Sequence, residues 1–109
     1  MLVGGNDKTI NIYKFEGGKL SKQNSIVTDS PPRSIDLFNG KLLMGYKNGS
    51  ISELDYAKAV KANPRARVIM TSHCDGEVWG VEVCHLDNGE VRMITSGDDN
   101  RILAYNPKL

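Results

Sequence analysis

Residues Ile94-Thr-Ser-Gly-Asp-Asp-Asn-Arg-Ile-Leu-Ala-Tyr105 decide the fold of this chain. A short apolar stretch meets a turn rich in Gly, Asp and Asn, and an alternating stretch follows the turn. Gly, Asn and Asp tolerate the positive φ angles of tight hairpin turns, and alternation with period two is typical of a strand. The stretch therefore predicts one β-hairpin.

The hairpin pattern is repeated along the chain. Leu2-Val-Gly-Gly-Asn-Asp-Lys-Thr-Ile10 and Leu43-Met-Gly-Tyr-Lys-Asn-Gly-Ser-Ile51 align with Ile94–Ile102 without gaps, at offsets of 41 and 51 residues. Further strand candidates lie between the hairpins, at 25–28, 33–38, 67–71 and 78–83. Four strands in a period of about 40 to 50 residues are typical of a propeller blade.

We therefore predict an all-β fold, a partial β-propeller of about two and a half four-stranded antiparallel blades. Its expected divisions are a partial blade over 1–29, a middle blade over 30–71 and a partial third blade over 72–109. The one expected helical turn runs from Asp55 to Ala62, and Pro64 stops it. Because propellers usually have four to eight blades, we expect the remaining blades in a larger protein. Self-association into a closed ring is the alternative.

The third copy, with Ser72-His-Cys-Asp-Gly-Glu-Val-Trp-Gly-Val-Glu-Val83 before it, resembles a WD repeat. Ser72-His73 stands where that family has Gly-His, and Tyr105-Asn106 stands where it has Trp-Asp. The resemblance implies a structural hydrogen-bond network of His73, Thr95, Asp99 and Tyr105, with Asp7 and Tyr13 as the recurring turn acid and aromatic residue. The middle copy has Asn48 and Leu54 at those two positions, so its network is expected to be incomplete.

A narrower resemblance rests on Asp75-Gly-Glu-Val-Trp-Gly80 and Ser96-Gly-Asp-Asp-Asn100. These stretches are similar to blades of echinoderm-microtubule-associated-protein-like proteins. That resemblance implies association with tubulin, microtubules and axonemes, and a place in the cytoskeleton or cilium.

Composition excludes several classes of function. The net charge of +1 gives no overall field toward nucleic acid or an acidic membrane, and no apolar run approaches the roughly 20 residues of a spanning helix. The N-terminus lacks a signal-peptide pattern, and the two cysteines are expected to be free thiols in a reducing compartment. We therefore expect a cytoplasmic protein that binds neither nucleic acid nor membrane.

The candidate partner-binding residues fall into three groups. Trp79 is the only Trp, and it is either an interface anchor or a packing residue between blades. The segment 58–67 has four cations and no acid, and it is either a contact for an acidic partner or an ordinary solvated loop. Its cations are Lys58, Lys61, Arg65 and Arg67. The third group is the hairpin tips, expected on one face: Asn6, Lys8, Lys47, Asn48, Asp98 and Asn100.

Residues that suggest other chemistry have simpler interpretations. His73, Cys74, Cys84 and His85 lack the closely spaced cysteine pair of a structural zinc site. Asp98 and Asp99 lie in a turn where Asp is expected for backbone reasons, and the chain has no phosphate-loop motif. We expect no metal, no cofactor and no enzyme activity. The predicted function is a protein-interaction scaffold, with a non-cytoskeletal adaptor or a propeller enzyme as alternatives.

Overall fold

A computed structural model describes residues 1–71, 73 and 76–106. Within these residues the chain forms ten strands and one short helix. In chain order the elements are β1 (Leu2–Gly5), β2 (Thr9–Glu16), β3 (Lys19–Val27), β4 (Pro32–Phe38), β5 (Lys41–Tyr46), β6 (Ser50–Asp55), α1 (Tyr56–Ala59), β7 (Arg67–Thr71), β8 (Val78–His85), β9 (Val91–Gly97) and β10 (Ile102–Tyr105).

The strands form three antiparallel sheets, each made of strands that are consecutive in the chain. The orders are β1-β2-β3, β4-β5-β6-β7 and β10-β9-β8. Sheets of three, four and three strands confirm the prediction of an all-β partial propeller. Each of the three aligned hairpins is present, as β1–β2, β5–β6 and β9–β10.

The middle sheet is buried on both faces. Leu42, Leu43 and Met44 are consecutive in β5 and fully buried. Because successive side chains of a strand point to opposite faces, Leu42 and Met44 pack with the first sheet, and Leu43 packs with the third. Burying one such side chain contributes about 1.5–3 kcal/mol to the stability of the fold. Because the side chains of β5 pack on both neighbouring sheets, this strand holds the three sheets together.

The edge strands β4 and β8 pack beside each other and define the inner side of the sheets. Two hydrogen bonds between side chain and backbone join them, because Ser34 Oγ donates to Val78 O at 3.0 Å and Val83 N donates to Asp36 Oδ2 at 2.7 Å. At Gly45, in the neighbouring β5, a Cβ atom would lie 2.6 Å from Val78 Cγ1. The absent side chain at Gly45 lets β8 approach the middle sheet.

The sheets have two ends, which carry different loops. The upper end, as we use the term, holds the tips of the β1–β2, β5–β6 and β9–β10 hairpins and the connections that enter β4 and β8. The lower end holds the turns 17–18, 39–40 and 86–90 and α1, where the connection 56–66 begins. That connection then runs toward the upper end, where Asn63 contacts Val27 and Arg65 lies beside Asp29.

Two elements differ in extent from the sequence prediction. β3 begins at Lys19 rather than near Ser25, because Gly17 and Gly18 have φ of 59° and 75° and form a tight turn directly after β2. The helix covers Tyr56–Ala59, the first part of the predicted turn. The described residues contain no helix with the length and hydropathy that a membrane span requires.

Candidate functional site

The upper end carries an exposed aromatic residue whose position is fixed by its neighbours. Trp79 is 55% exposed, although it belongs to strand β8. Its indole Nε1 donates to Asp98 Oδ1 at 2.6 Å. The guanidinium carbon of Arg33 lies 5.6 Å from the ring centroid, within the range of a cation–π contact. Trp79 therefore exposes to solvent an aromatic ring whose position is fixed by Asp98 and Arg33.

Arg33 and Trp79 occupy equivalent places in neighbouring blades. The pairing of β4 with β5 shifts between Pro32 and Ser34, and the pairing of β8 with β9 shifts between Val78 and Gly80. Each shift leaves one residue unpaired, and a β-bulge of this kind re-aims the side chain that it carries. The two bulges bring Arg33 and Trp79 together at the upper end.

Arg33 also joins three sheets. Its Nε donates to Glu77 Oε2 at 2.7 Å, and its Nη1 donates to Asn6 Oδ1 at 2.7 Å. Asn6 belongs to the β1–β2 tip, and Glu77 precedes β8. The side chains of Arg33 and Glu77 are only 15% and 17% exposed, so this ion pair is partly shielded from water. Arg33 is not among the candidate binding residues predicted from the sequence, because its equivalence to Trp79 depends on the two register shifts.

Asp98 is the acid beside Trp79. Its Oδ2 accepts from Glu77 N at 2.9 Å, while Oδ1 accepts from the indole. The backbone N–H of Glu77, followed by the indole N–H of Trp79, lowers the pKa of Asp98 from its ordinary 3.8. Gly76 makes the arrangement possible, because its φ is +69° and a Cβ there would lie 2.4 Å from Asp98 Oδ2. Asp98 is therefore an ionised, exposed carboxylate at neutral pH.

The proposed structural network has its histidine at the centre. His73 Nδ1 lies 2.6 Å from Asp99 Oδ1, and His73 Nε2 lies 3.0 Å from Thr95 Oγ1. A carboxylate can only accept, so Nδ1 carries a proton. The side chains of His73 and Asp99 are 0% and 4% exposed. Tyr105 packs against the cluster that contains Leu43 and Met93.

The corresponding residues of the other hairpins make local contacts. Asp7 Oδ1 accepts from Thr9 Oγ1 at 2.6 Å within the β1–β2 tip, and Asn48 Oδ1 accepts from Ser50 N and Oγ in the β5–β6 tip. Tyr13 forms two backbone hydrogen bonds with Met1, one as donor and one as acceptor. Asn100 has a positive φ of 62° in the β9–β10 tip, and Lys47 is exposed in the β5–β6 tip.

The basic segment 58–67 begins at the lower end and runs along the first sheet toward the upper end. Hydrogen bonds hold this segment against β3, the outer strand of the first sheet. Asn24 Nδ2 in β3 donates to Ala59 O at 2.6 Å and also to Ala62 O. In return, Asn63 Oδ1 accepts from Val27 N at 3.0 Å. These bonds cover part of the free edge of β3, a type of edge that otherwise invites pairing with another chain.

The four cations of this segment have different surroundings. Arg67 is paired with Glu53, and Arg65 lies 3.7 Å from Asp29 in an exposed pair. Lys58 and Lys61 are exposed. Lys41, which is not among the cations predicted from the sequence, lines an open groove of about 210 Å³ together with Lys58, Arg65 and Arg67.

Residues considered for metal binding are used elsewhere or lie apart. His85 contacts the ring of Phe38 at 5.1 Å between centroids, and Cys84 is a free thiol at the end of β8. Ser72, Cys74 and Asp75 lie outside the described residues. Among residues 1–71, 73 and 76–106, no three His, Cys, Asp or Glu side chains come together as a metal site.

Comparison with known proteins shows similarity to a WD-repeat protein over almost the whole chain. The chain is 38% identical over 108 residues to the ciliary WD repeat-containing protein ctxp80 of Euplotoides octocarinatus. The match covers 99% of this chain and 13% of that protein. The chain thus spans a small part of the length of this relative. No family model matches the sequence.

Solved structures share the fold at low sequence identity. Sqt1 of Saccharomyces cerevisiae superposes with a TM-score of 0.71 at 15% identity, over 99% of this chain and 28% of that one. The computationally designed Ika8 protein superposes with a TM-score of 0.61 at 14% identity, over 96% of this chain and 29% of that one. The designed Ika4 protein gives a TM-score of 0.57 at 14% identity, over 96% and 58%.

Proposed function

Because the chain belongs to the WD-repeat family of β-propellers, we propose that it is part of a protein-interaction scaffold whose upper end binds a protein partner. The observation that carries this proposal is the exposed, fixed ring of Trp79. Trp is enriched among the residues that dominate binding energy at protein interfaces. Trp79 is the proposed anchor, with the nearby tips carrying Asn6, Lys47, Asp98 and Asn100 as surrounding contacts.

The fixed ring supports binding by reducing its entropic cost. Ordering a mobile side chain at an interface costs about 0.5–1.5 kcal/mol, and Trp79 is already held by Asp98 and Arg33. The scaffold function needs neither catalysis nor a cofactor. Asp98 accepts a hydrogen bond from the indole of Trp79, and Asp99 lies beside the buried His73.

We propose that further blades cover the outer face of the third sheet. Ile102 is 79% exposed there, and Ile94 is also exposed. Both line a shallow open depression with Gly80 and Val81. Large apolar side chains gain free energy when a neighbouring surface removes them from water, so this face suits the next blade of a propeller.

Site-specific photo-cross-linking tests the proposed role of the upper end. A photoreactive amino acid replaces Arg101 at the upper end, or Asp87 at the lower end as the matched control, in the full-length protein that carries this segment. We expect discrete cross-linked partners from position 101, and we expect Trp79→Ala to remove them. Cross-links at position 101 that persist unchanged in Trp79→Ala would reject the anchor.

A second candidate function is association with microtubules or axonemes in a cilium. Two observations favour it: the relative ctxp80 is named as a ciliary protein, and exposed Lys58 lies beside Lys41 at the lower end, with exposed Lys61 one turn further along the chain. Clustered cations attract acidic surfaces such as tubulin tails, and salt weakens that attraction. An adaptor of a non-cytoskeletal complex is the alternative.

Cosedimentation of the full-length protein with microtubules tests this second function. Lys58→Glu with Lys61→Glu leaves both internal arginine pairs intact, and it should reduce the pelleted fraction at least about threefold at low salt. Lys47→Glu, an exposed lysine at the upper end, controls for the change in net charge. Equal pelleting of both variants and the wild type would contradict a role for the segment.

A further inference from the structure

Beside the exposed ring of Trp79 lies Asp98, a carboxylate whose charge is not balanced by a neighbouring cation. Arg33 lies near the indole, but its charge is matched by Glu77 at 2.7 Å. Asp99 lies beside His73 in the buried network. Within residues 1–71, 73 and 76–106, no Lys, Arg or His nitrogen forms an ion pair with Asp98. Asp98 therefore sets the sign of the charge beside the exposed ring.

Asp98 also keeps capacity for a further donor. Each of its oxygens accepts one bond, from the indole and from Glu77 N, while a carboxylate offers about four acceptor positions. Both existing bonds come from groups that also fix the carboxylate in place. A ligand would meet a carboxylate that is already oriented, so binding would order no flexible acid.

The indole of Trp79 adds a second attraction for positive charge. The face of a Trp ring attracts cations, and Arg33 demonstrates such a contact in this structure. More than half of the Trp79 surface remains exposed after Arg33 and Asp98 have made their contacts. An exposed aromatic surface beside an ionised carboxylate suits a group that combines an alkyl stem with a cationic head.

We infer that Trp79 and Asp98 together bind a lysine or arginine side chain of a protein partner. This inference rests on the proposed binding function of the upper end. The alkyl stem of the partner side chain packs on the indole, and its cationic head donates to Asp98. A neutral side chain can pack on the indole or donate an uncharged hydrogen bond, but it lacks the cation–π attraction and the charge-assisted bond, and Asp98 repels an acidic side chain, so the site favours partners by charge.

Paired peptide arrays test the charge selection. Each spot carries a short peptide with random flanks and a fixed centre, made once with arginine and once with citrulline, which has nearly the same shape without the charge. The full-length protein is applied to the array as the probe. We consider the peptide pairs whose binding is lost in the Trp79→Ala variant. In these pairs, we expect the arginine peptide to bind about tenfold more tightly than the matching citrulline peptide.

Three variants separate the contributions of Asp98 and Trp79 to the preference for arginine over citrulline. Asp98→Asn should reduce the arginine preference below about twofold. Asp7→Asn removes an exposed acid from the equivalent tip of the first sheet and should leave the preference intact. Trp79→Phe keeps an aromatic ring but loses the bond to Asp98, so it should lower the preference less than Asp98→Asn. Thermal melting of each variant verifies that it is folded.

The outcomes distinguish this inference from the proposed function. Trp79-dependent binding without an arginine preference would overturn the inference and leave the proposed binding function in place. An arginine preference that survives Asp98→Asn in a folded variant would also overturn it. Peptide binding that does not depend on Trp79 at all would contradict both.

Discussion

The side chains of Arg33 and Trp79 meet because they occupy matching bulges in two neighbouring inner strands. Arg33 uses its planar, forked donors for two partners at once, Glu77 and Asn6. Lysine has a single donor group and cannot reproduce that geometry. The contact therefore depends on guanidinium shape as well as on positive charge.

Arg33→Lys should lower the free energy of unfolding by about 1–2 kcal/mol, because partly buried bonds to a charged group are lost. Urea unfolding of the full-length protein measures the change. Arg101→Lys makes the same substitution at an exposed position and should shift the unfolding free energy by less than about 0.5 kcal/mol. Similar losses in both variants would show that Arg33 contributes no more than a surface residue.

Asp99→Asn should destabilise the fold by about 1.5–3 kcal/mol, since it replaces a buried charge-assisted hydrogen bond with His73 by a neutral one. The amide of Asn has the size of the carboxylate but lacks its charge. Asp7→Asn is the control at the aligned tip of the first sheet, where the acid is exposed, and little change is expected there. Chemical denaturation compares Asp99→Asn with Asp7→Asn. Equal unfolding midpoints would show that the contact between Asp99 and His73 does not stabilise the fold.

Gly45→Ala should cost about 1–3 kcal/mol, because the new methyl group would overlap Val78 between two packed sheets. Gly80→Ala places a methyl group near Ser96 Oγ, a hydroxyl that can rotate away, and should cost less. Thermal unfolding measured by circular dichroism ranks the two variants. Gly80→Ala melting below Gly45→Ala would refute the close approach at Gly45.

Asn24→Ala should release the segment 56–66 from the first sheet, because it removes the bonds to Ala59 O and Ala62 O. Trypsin cleaves after lysine and arginine, so cleavage after Lys61 reports the release. We expect cleavage there to accelerate at least about threefold, in line with the loss of about 1 kcal/mol per hydrogen bond. Gln23→Ala, at the exposed neighbouring position of β3, should leave the rate unchanged, and equal rates in both variants would contradict the fastening role.

The contribution of Asp98 to stability should depend on pH. Its folded-state pKa lies below the ordinary value, so its stabilising effect is fully present above pH 3.8 and is lost as the pH falls through the folded-state pKa. Asp98→Asn should therefore be less stable than the wild type at neutral pH, and the two should converge in strong acid. Trp79→Phe removes one of the two donors to Asp98. In that background, the difference in stability caused by Asp98→Asn at neutral pH should be smaller. A gap between wild type and Asp98→Asn that is constant from pH 7 to pH 2 would contradict this.

The strands and their order could be predicted because hairpin tips and alternating residues are local signals. The consecutive apolar residues 42–44 likewise indicate a sheet that is buried on both faces. The contacts of Arg33 could not be predicted so directly, because they depend on two bulges and on the packing of neighbouring sheets. The fastening bonds of Asn24 and Asn63 join residues more than 30 positions apart and leave no periodic signal.

The sequence named Trp79, the basic segment 58–67 and the hairpin tips as three separate groups of candidates, but it did not show at which end of the sheets the basic segment begins. Trp79 and the tips share the upper end, whereas Lys58 and Lys61 extend from the lower end. Strand direction decides this division, and charge composition alone carries no information about it. The structure therefore places Trp79 and Lys58 at different ends of the sheets.

This separation has a consequence for assembly. A strand of six residues such as β6 is about 20 Å long, and this length sets the distance between the two proposed binding surfaces. If both surfaces bind as proposed, the rigid sheets between them hold the two partners at a fixed spacing. The module would then act as a spacer between two molecules that are bound at different ends of the same sheets.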